Sequence, residues 1–252
     1  LTDQELKSLF GDEMRHPETE GGRLLSFFCK DNNHVMLRLK ETMTDRPHGH
    51  IIQAEAGYVP DESIVSTTLF AYGVFNSHLS QGNTNFNVLL SICSSQFNLS
   101  PETGQRIFVT VGKRQYLLGV PSAFEMGLNH CRWIYKHGDS MFQVRTWTSK
   151  KAPQVNTDFR VISGEKVKLL ITHSFDELNG WSIAAVNAAG ELIAIPVAGS
   201  MISSKFPHPQ FRIKINNPES GFEVRGDEAL YADNKNHGSP MLVLDVHETN
   251  EF

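Results

Sequence analysis

The constraint that most narrows the possible folds is a period of two, broken at short intervals by turn residues. At residues 34–40, Val35, Leu37 and Leu39 alternate with His34, Met36, Arg38 and Lys40. On an extended chain this alternation places one set of side chains on each face of a sheet. A second apolar run at 24–30 precedes it across Asp31-Asn32-Asn33, and two such runs joined by turn-forming residues predict an antiparallel hairpin. Further strands are predicted at 63–73, 106–111, 115–119, 131–136, 141–148, 155–162, 166–172, 181–187, 192–197, 210–215, 221–224 and 241–246. Val111-Gly112-Lys113, His137-Gly138-Asp139, Ser163-Gly164-Glu165 and Ala189-Gly190-Glu191 punctuate them. With no long amphipathic helical series, the fold predicted is all-β, a large antiparallel β-sandwich.

One short helix is expected at the N-terminus. Thr2 with Glu5 has the spacing of a capping box, and Leu6, Leu9 and Phe10 share a side before Gly11. Residues 83–93 suit a buried strand or a helical turn equally well, and the two prolines of 203–209 mark a loop. A chain of 252 residues with 40% hydrophobic content buries a substantial core. A single domain spanning 1–252 is expected, and any boundary would lie near 42–50, where apolar content falls.

The formal net charge of −5, without blocks of like charge, argues against a nucleic-acid groove or an anionic membrane surface. Cys29, Cys93 and Cys131 are odd in number and form no C-x-x-C pair, so neither a disulfide framework nor a zinc site is indicated. A reducing cytoplasm is the simplest reading. No apolar run is long enough to span a bilayer and no signal peptide is visible, although the chain starts at Leu1 and is compatible with removal of a leader.

The densest chemistry lies between Tyr72 and Trp133. Asn76, Asn83, Asn85, Asn87, Asn98 and Asn129 are interleaved there with Phe75, Phe86, Phe124 and Trp133. Amides donate and accept at one position, as a sugar hydroxyl requires, and aromatic faces cover the apolar side of a pyranose ring. The candidate carbohydrate-binding residues are Asn76, His78, Asn83 and Asn85 in the loop 76–87, with Arg132 and Trp133. Against this stands the plainer role of Asn in β-turns and of aromatics in a core. On the strand at 131–136, Arg132 and Ile134 share one face while Trp133 and Tyr135 share the other, and Trp147 is a cross-strand aromatic partner for Trp133. Such a pair forms either a core or a sugar platform, with core the preferred reading.

The same stretch carries a family likeness. The segments YGVFNSH from Tyr72, GNT from Gly82, GQRIF from Gly104 and LGVPSAFEMG from Leu118 resemble the N-terminal region of glycoside phosphorylases that act on β-1,2-linked oligoglucans, within the wider cellobiose phosphorylase group. The likeness is strongest over 67–147. It implies a supersandwich of the galactose mutarotase type, placed ahead of a helical (α/α)6 barrel that holds the general acid and the phosphate site. It further implies a fragment of a longer protein without catalytic machinery, whose partners are the C-terminal helical barrel of the same protein, a second subunit in a homodimer, and a β-glucan ligand. The alternative is a free-standing carbohydrate-binding protein or a mutarotase-like epimerase, for which His78, His173, Glu125 and Asp176 are the available acid and base groups.

No catalytic residue, cofactor or metal is assigned. Asp61-Glu62 and Asp227-Glu228 are adjacent acid pairs whose members point to opposite faces of a strand, and both are read as solvated turn charges. His48-Gly49-His50 with Glu55 resembles the first half of a cupin metal site, but His130 and His237 are poor matches for the second half. Metal is therefore expected to be dispensable: His50→Ala should leave metal content and thermal stability nearly unchanged. Stoichiometric zinc, iron or manganese lost in that variant, measured by elemental analysis, would overturn this reading.

Overall fold

The computed structural model describes residues 1–43, 67–68, 78–79, 104–127, 130–148, 155–174, 181–186, 191–205, 208, 210–238 and 241–252. Helix α1 (Asp3–Phe10) leads into β1 (Arg15–Glu20), β2 (Arg23–Phe28), β3 (His34–Leu37) and a single helical turn, α2 (Arg38–Glu41). The short strands β4 (Thr67–Thr68) and β5 (His78–Leu79) pair with each other. There follow β6 (Gly104–Val111), β7 (Arg114–Leu117), β8 (Ala123–Met126), β9 (His130–His137), β10 (Ser140–Thr148), β11 (Val155–Ser163) and β12 (Val167–Ser174). Then come β13 (Trp181–Val186), β14 (Glu191–Pro196), α3 (Met201–Lys205), β15 (Phe211–Lys214), β16 (Phe222–Arg225) and β17 (Met241–Thr249).

By contacts the chain divides into two compact units. The first comprises Leu1–Leu90 and Leu118–Glu165 with Glu251, and the second Ser91–Leu117 and Lys166–Asn250 with Phe252. Among the described residues, the first unit holds a seven-stranded antiparallel sheet in the order β1-β2-β3-β8-β9-β10-β11. Its helix is capped as the sequence predicts. The Glu5 N–H donates to Thr2 Oγ1 at 3.3 Å and the Thr2 N–H donates to Glu5 Oε2 at 2.7 Å. Leu6 and Phe10 then pack into the cluster of Phe27, Val35, Ala123, Ile134 and Met141 on one face of the sheet.

Local chemistry sets the register of this sheet. At the β2–β3 turn Asn32 adopts a φ of 62°, a left-handed conformation that Asn tolerates. The turn is closed by the Cys29 N–H donating to Asn33 O at 3.0 Å. Two residues, Gly138-Asp139, join β9 to β10, and Gly138 at φ 60° supplies the positive dihedral this tight hairpin needs. His137 therefore stands opposite Ser140, and every later pair follows.

The second unit carries a five-stranded antiparallel sheet, β16-β17-β12-β6-β7, and a three-stranded one, β13-β14-β15. Consecutive residues Leu169, Leu170 and Ile171 of the central strand β12 are all buried, so both faces of that strand are covered. Near its end His173 stands opposite Gln105, and the two side chains lie 3.3 Å apart, both buried.

Most predicted strands are present within one to three residues of their expected limits. The differences are instructive. Arg38, Leu39 and Lys40 continue the alternating pattern in sequence but turn into α2. Strands β1 and β8 escape the pattern altogether: β1 is almost wholly polar and contains Pro17, while every residue of β8 is buried, so neither shows an alternation of two. The predicted loop at 203–209 begins inside α3. The expected boundary region from 44 to 50 lies outside the described residues, as does most of the strand expected at 63–73.

Burial holds the His173 imidazole down at about 4, below its ordinary 6.5. A base whose folded pKa lies below its unfolded value binds fewer protons when folded, so its contribution to stability is complete above the unfolded pKa and is lost as pH falls. His34 and His130 are displaced in the same direction, chiefly by burial. Unfolding free energy should therefore fall between pH 6.5 and 4, with each histidine adding at most about 1.4 kcal/mol per pH unit. His173→Leu should flatten the profile in denaturant titrations across that window; an unchanged slope would show that His173 titrates normally.

Candidate functional site

Strands β8 to β11 run side by side, and their register sorts neighbouring residues onto opposite faces. Phe124, Trp133, Val144 and Phe159 stand opposite one another across the four strands. One residue along, Glu125, Arg132, Arg145 and Asp158 form a second row on the other face. The first row is core: Trp133 is 0% exposed, and its ring lies 5.1 Å from that of Phe124.

The second row is a charged network that grades from buried to open. Glu125 is 4% exposed. Arg132 Nε donates to Glu125 Oε2 at 2.5 Å, Arg132 Nη2 donates to Leu9 O at 2.9 Å, and the guanidinium lies over the Phe10 ring at 4.9 Å. Asn33 Nδ2 donates to the other Glu125 oxygen at 3.0 Å. Further out, Arg145 donates to Asp158 Oδ2 through Nε at 3.1 Å and Nη2 at 2.5 Å, and its guanidinium covers the Trp147 ring at 4.5 Å. Burial holds His130, opposite Trp147, below its ordinary value; Glu125 opposes this displacement, while Arg132 and Arg145 add to it. Gly127 keeps this corner closed, since a Cβ there would collide with the His130 ring and come within 2.7 Å of Asn33 Oδ1.

These placements correct two expectations. Trp133 faces inward and offers no ring to a sugar, and Arg132, adjacent to it, projects to the other face, so the two cannot grip one ligand together. Nor do Trp133 and Trp147 pair, because Val144 stands opposite Trp133 and Trp147 stands opposite His130. Asn76, Asn83 and Asn85 lie outside the described residues. His78 begins β5 with its backbone opposite Thr68. Sequence reasoning missed Trp147, Arg145 and Asp158 as a group, although alternate spacing on β10 was the signal for it.

Two of the four groups considered for epimerisation are tied up locally: Glu125 with Arg132, and His173 with Gln105. Asp176 and the group of His48, His50 and Glu55 lie outside the described residues. Among the described residues, no three or more His, Cys, Asp or Glu side chains gather so as to hold a metal ion. Asp227 is not the solvated turn charge expected. It is 0% exposed and accepts the His237 N–H at 3.0 Å, while its neighbour Glu228 accepts the Gly226 N–H at 3.0 Å. Cys29 and Cys131 are buried, and no disulfide joins them. No helix of the described residues is long and apolar enough to cross a membrane.

Antiparallel sheets with a fully apolar row on one face and a charged row on the other define an all-β protein of the sandwich class. Over residues 12–252 the chain matches the family described as the glycoside phosphorylase supersandwich domain, and it belongs to that family. It is 30% identical over 216 residues to a 1,2-β-oligoglucan phosphorylase of Listeria innocua; the aligned region is 84% of this chain and 20% of that protein. The chain thus spans about a fifth of the length of the curated relative it matches.

The network of Arg132 yields a stability test. Removing one partner of a buried ion pair leaves the other charge uncompensated, whereas replacing both with apolar groups costs far less. Arg132→Ala should destabilise the protein on the order of 3 kcal/mol, and Arg132→Met with Glu125→Leu should recover much of that loss. Denaturant unfolding of the single and double variants measures both; equal destabilisation in the two would show that the pair is not the anchor.

Proposed function

We propose that this chain serves as the non-catalytic sandwich domain of a glycoside phosphorylase acting on β-1,2-linked glucans. The observation that carries the reading is the pairing of spans: the family match runs through both compact units, from 12 to 252, yet the phosphorylase relative is covered over only 20% of its length. On this reading the domain is continuous over the whole chain. The general acid and the phosphate site belong to a helical barrel elsewhere in the full protein, on which this domain docks, and a second copy completes a dimer. The three cysteines, without a C-x-x-C pair, favour a reducing cytoplasm. Glucan contacts in this domain come from the segment 76–87 through Asn76, His78, Asn83 and Asn85, whose amides and imidazole match the donor and acceptor pattern of sugar hydroxyls. The galactose mutarotase likeness is then one of architecture, a reading supported by Glu125 and His173, two of the groups considered for epimerisation, being engaged within their own sheets.

The assay is release of glucose 1-phosphate from β-1,2-oligoglucans in the presence of phosphate. The 252-residue chain should release none, whereas a longer protein joining it to a helical barrel should turn over. Turnover by the chain alone, abolished by changing one carboxylate, would overturn the architectural assignment. Asn83→Ala with Asn85→Ala should weaken glucan binding while costing little stability, since each hydrogen bond contributes only about 1 kcal/mol.

A further inference from the structure

The outer face of β10 and β11 carries a second arrangement suited to sugar, distinct from the loop 76–87. Three cross-strand pairs stand in register there: Trp147 with Asn156, Arg145 with Asp158, and Gln143 with Arg160. Strands lie about 4.8 Å apart and alternate residues on one strand about 6.7 Å apart. The six side chains therefore form a two-by-three grid on one face of the β10–β11 pair. The Arg145 and Asp158 side chains are 44% and 27% exposed, and Trp147, Gln143 and Asn156 are half-buried.

Two properties separate this grid from an ordinary solvated face. Its charges cancel locally, since Arg145 is paired with Asp158 and Arg160 lies 3.3 Å from Glu251. A face balanced in this way attracts neither phosphate-rich polymers nor a strongly charged protein. It also holds a partly exposed indole amid planar polar groups. Stacking surface beside a hydroxyl-matching donor and acceptor is the combination a neutral polyol requires.

We propose that this face binds a neutral oligosaccharide, with Trp147 as the stacking surface and the Arg145–Asp158 pair hydrogen-bonded to adjacent hydroxyls: Arg145 donates to one, and Asp158 accepts from the next through Oδ2, the oxygen that faces Arg145. Arg145, which now covers the indole, slides toward the hydroxyls when a sugar ring takes its place. The choice of a β-glucan as ligand rests on the function proposed above. The grid itself does not.

The test uses the full chain and the indole N–H resonances of its three tryptophans, assigned by Trp→Phe substitution. A β-1,2-linked glucan oligosaccharide and a β-1,4-linked cello-oligosaccharide are titrated separately. Expected are a saturable shift of the Trp147 resonance, an unmoved Trp133 resonance, and binding about tenfold weaker in both Trp147→Ala and Arg145→Met. Melting temperatures are measured alongside; Arg145→Met carries the result if Trp147→Ala unfolds. No Trp147 shift at roughly 10 mM of either glucan, or unchanged affinity in both variants, overturns the site. A shift with the β-1,4 glucan alone upholds the site but removes the β-1,2 assignment. Binding that depends on Asn83 and Asn85 and leaves Trp147 unmoved upholds the loop and removes the grid.

Discussion

The contact between Glu125 and Arg132 ties together more of the first unit than any other single interaction described above. Arg132 on β9 reaches Glu125 on β8, the last turn of α1 through Leu9 O, and the Phe10 ring. Glu125 in turn accepts from Asn33 in the β2–β3 turn. A carboxylate this deeply buried is costly unless its lone pairs are used, and here donors from two other parts of the chain use them. Shifting the register of β9 by one residue would swap Arg132 with Trp133, placing a cation in the apolar row and an indole against Glu125. The ion pair adds little net stability, but it excludes that alternative pairing.

Helix α1 shows how polar and apolar terms combine around this anchor. It lies ahead of the matched span of 12–252, yet physically it belongs to the sheet. Leu6 and Phe10 enter the apolar cluster, Leu9 O accepts from Arg132, and Glu5 accepts from Lys136 Nζ at 2.6 Å. The Lys136 hydrogen bond, followed by the Thr2 backbone N–H, holds the Glu5 carboxyl down at about 2. An isolated helix of eight residues is unstable in water. Its stability comes from the face it covers, and in covering that face it shields Glu125 and most of the Arg132 side chain from water.

The fold was legible in sequence wherever one face is buried and the other wet, because that condition alone writes a period of two. Strand β10 met it over residues 142–147. Strand β8 did not, since Ala123, Phe124, Glu125 and Met126 are all buried, with Glu125 covered by partners distant in sequence. The faces of Arg132 and Trp133 were legible from parity, but parity does not say which face is inside. Trp147 was misplaced for a subtler reason. The two-residue turn at Gly138-Asp139 sets its register against His130, and that arithmetic was available in the sequence once the turn was recognised. Asp227 was not legible, because burying a carboxylate depends on donors such as the His237 N–H, which only the folded loop brings near.

Buried polar groups recur in both units, and three of them are met by a partner on an adjacent strand or within their own loop: Glu125 by Arg132, His173 by Gln105, Asp227 by the His237 backbone. Local satisfaction of this kind makes every group a check on strand pairing, since a slipped strand would leave it unmet at a cost of about 1–3 kcal/mol. Apolar rows are more tolerant, because one leucine-sized contact replaces another with little loss. A sheet that has to present a fixed surface, whether to a neighbouring domain or to a sugar, gains from such checks. The grid of Trp147, Arg145 and Asp158 stands on the strands whose register the Glu125–Arg132 pair enforces, so the most buried charge in that row is what holds the most exposed ones in place.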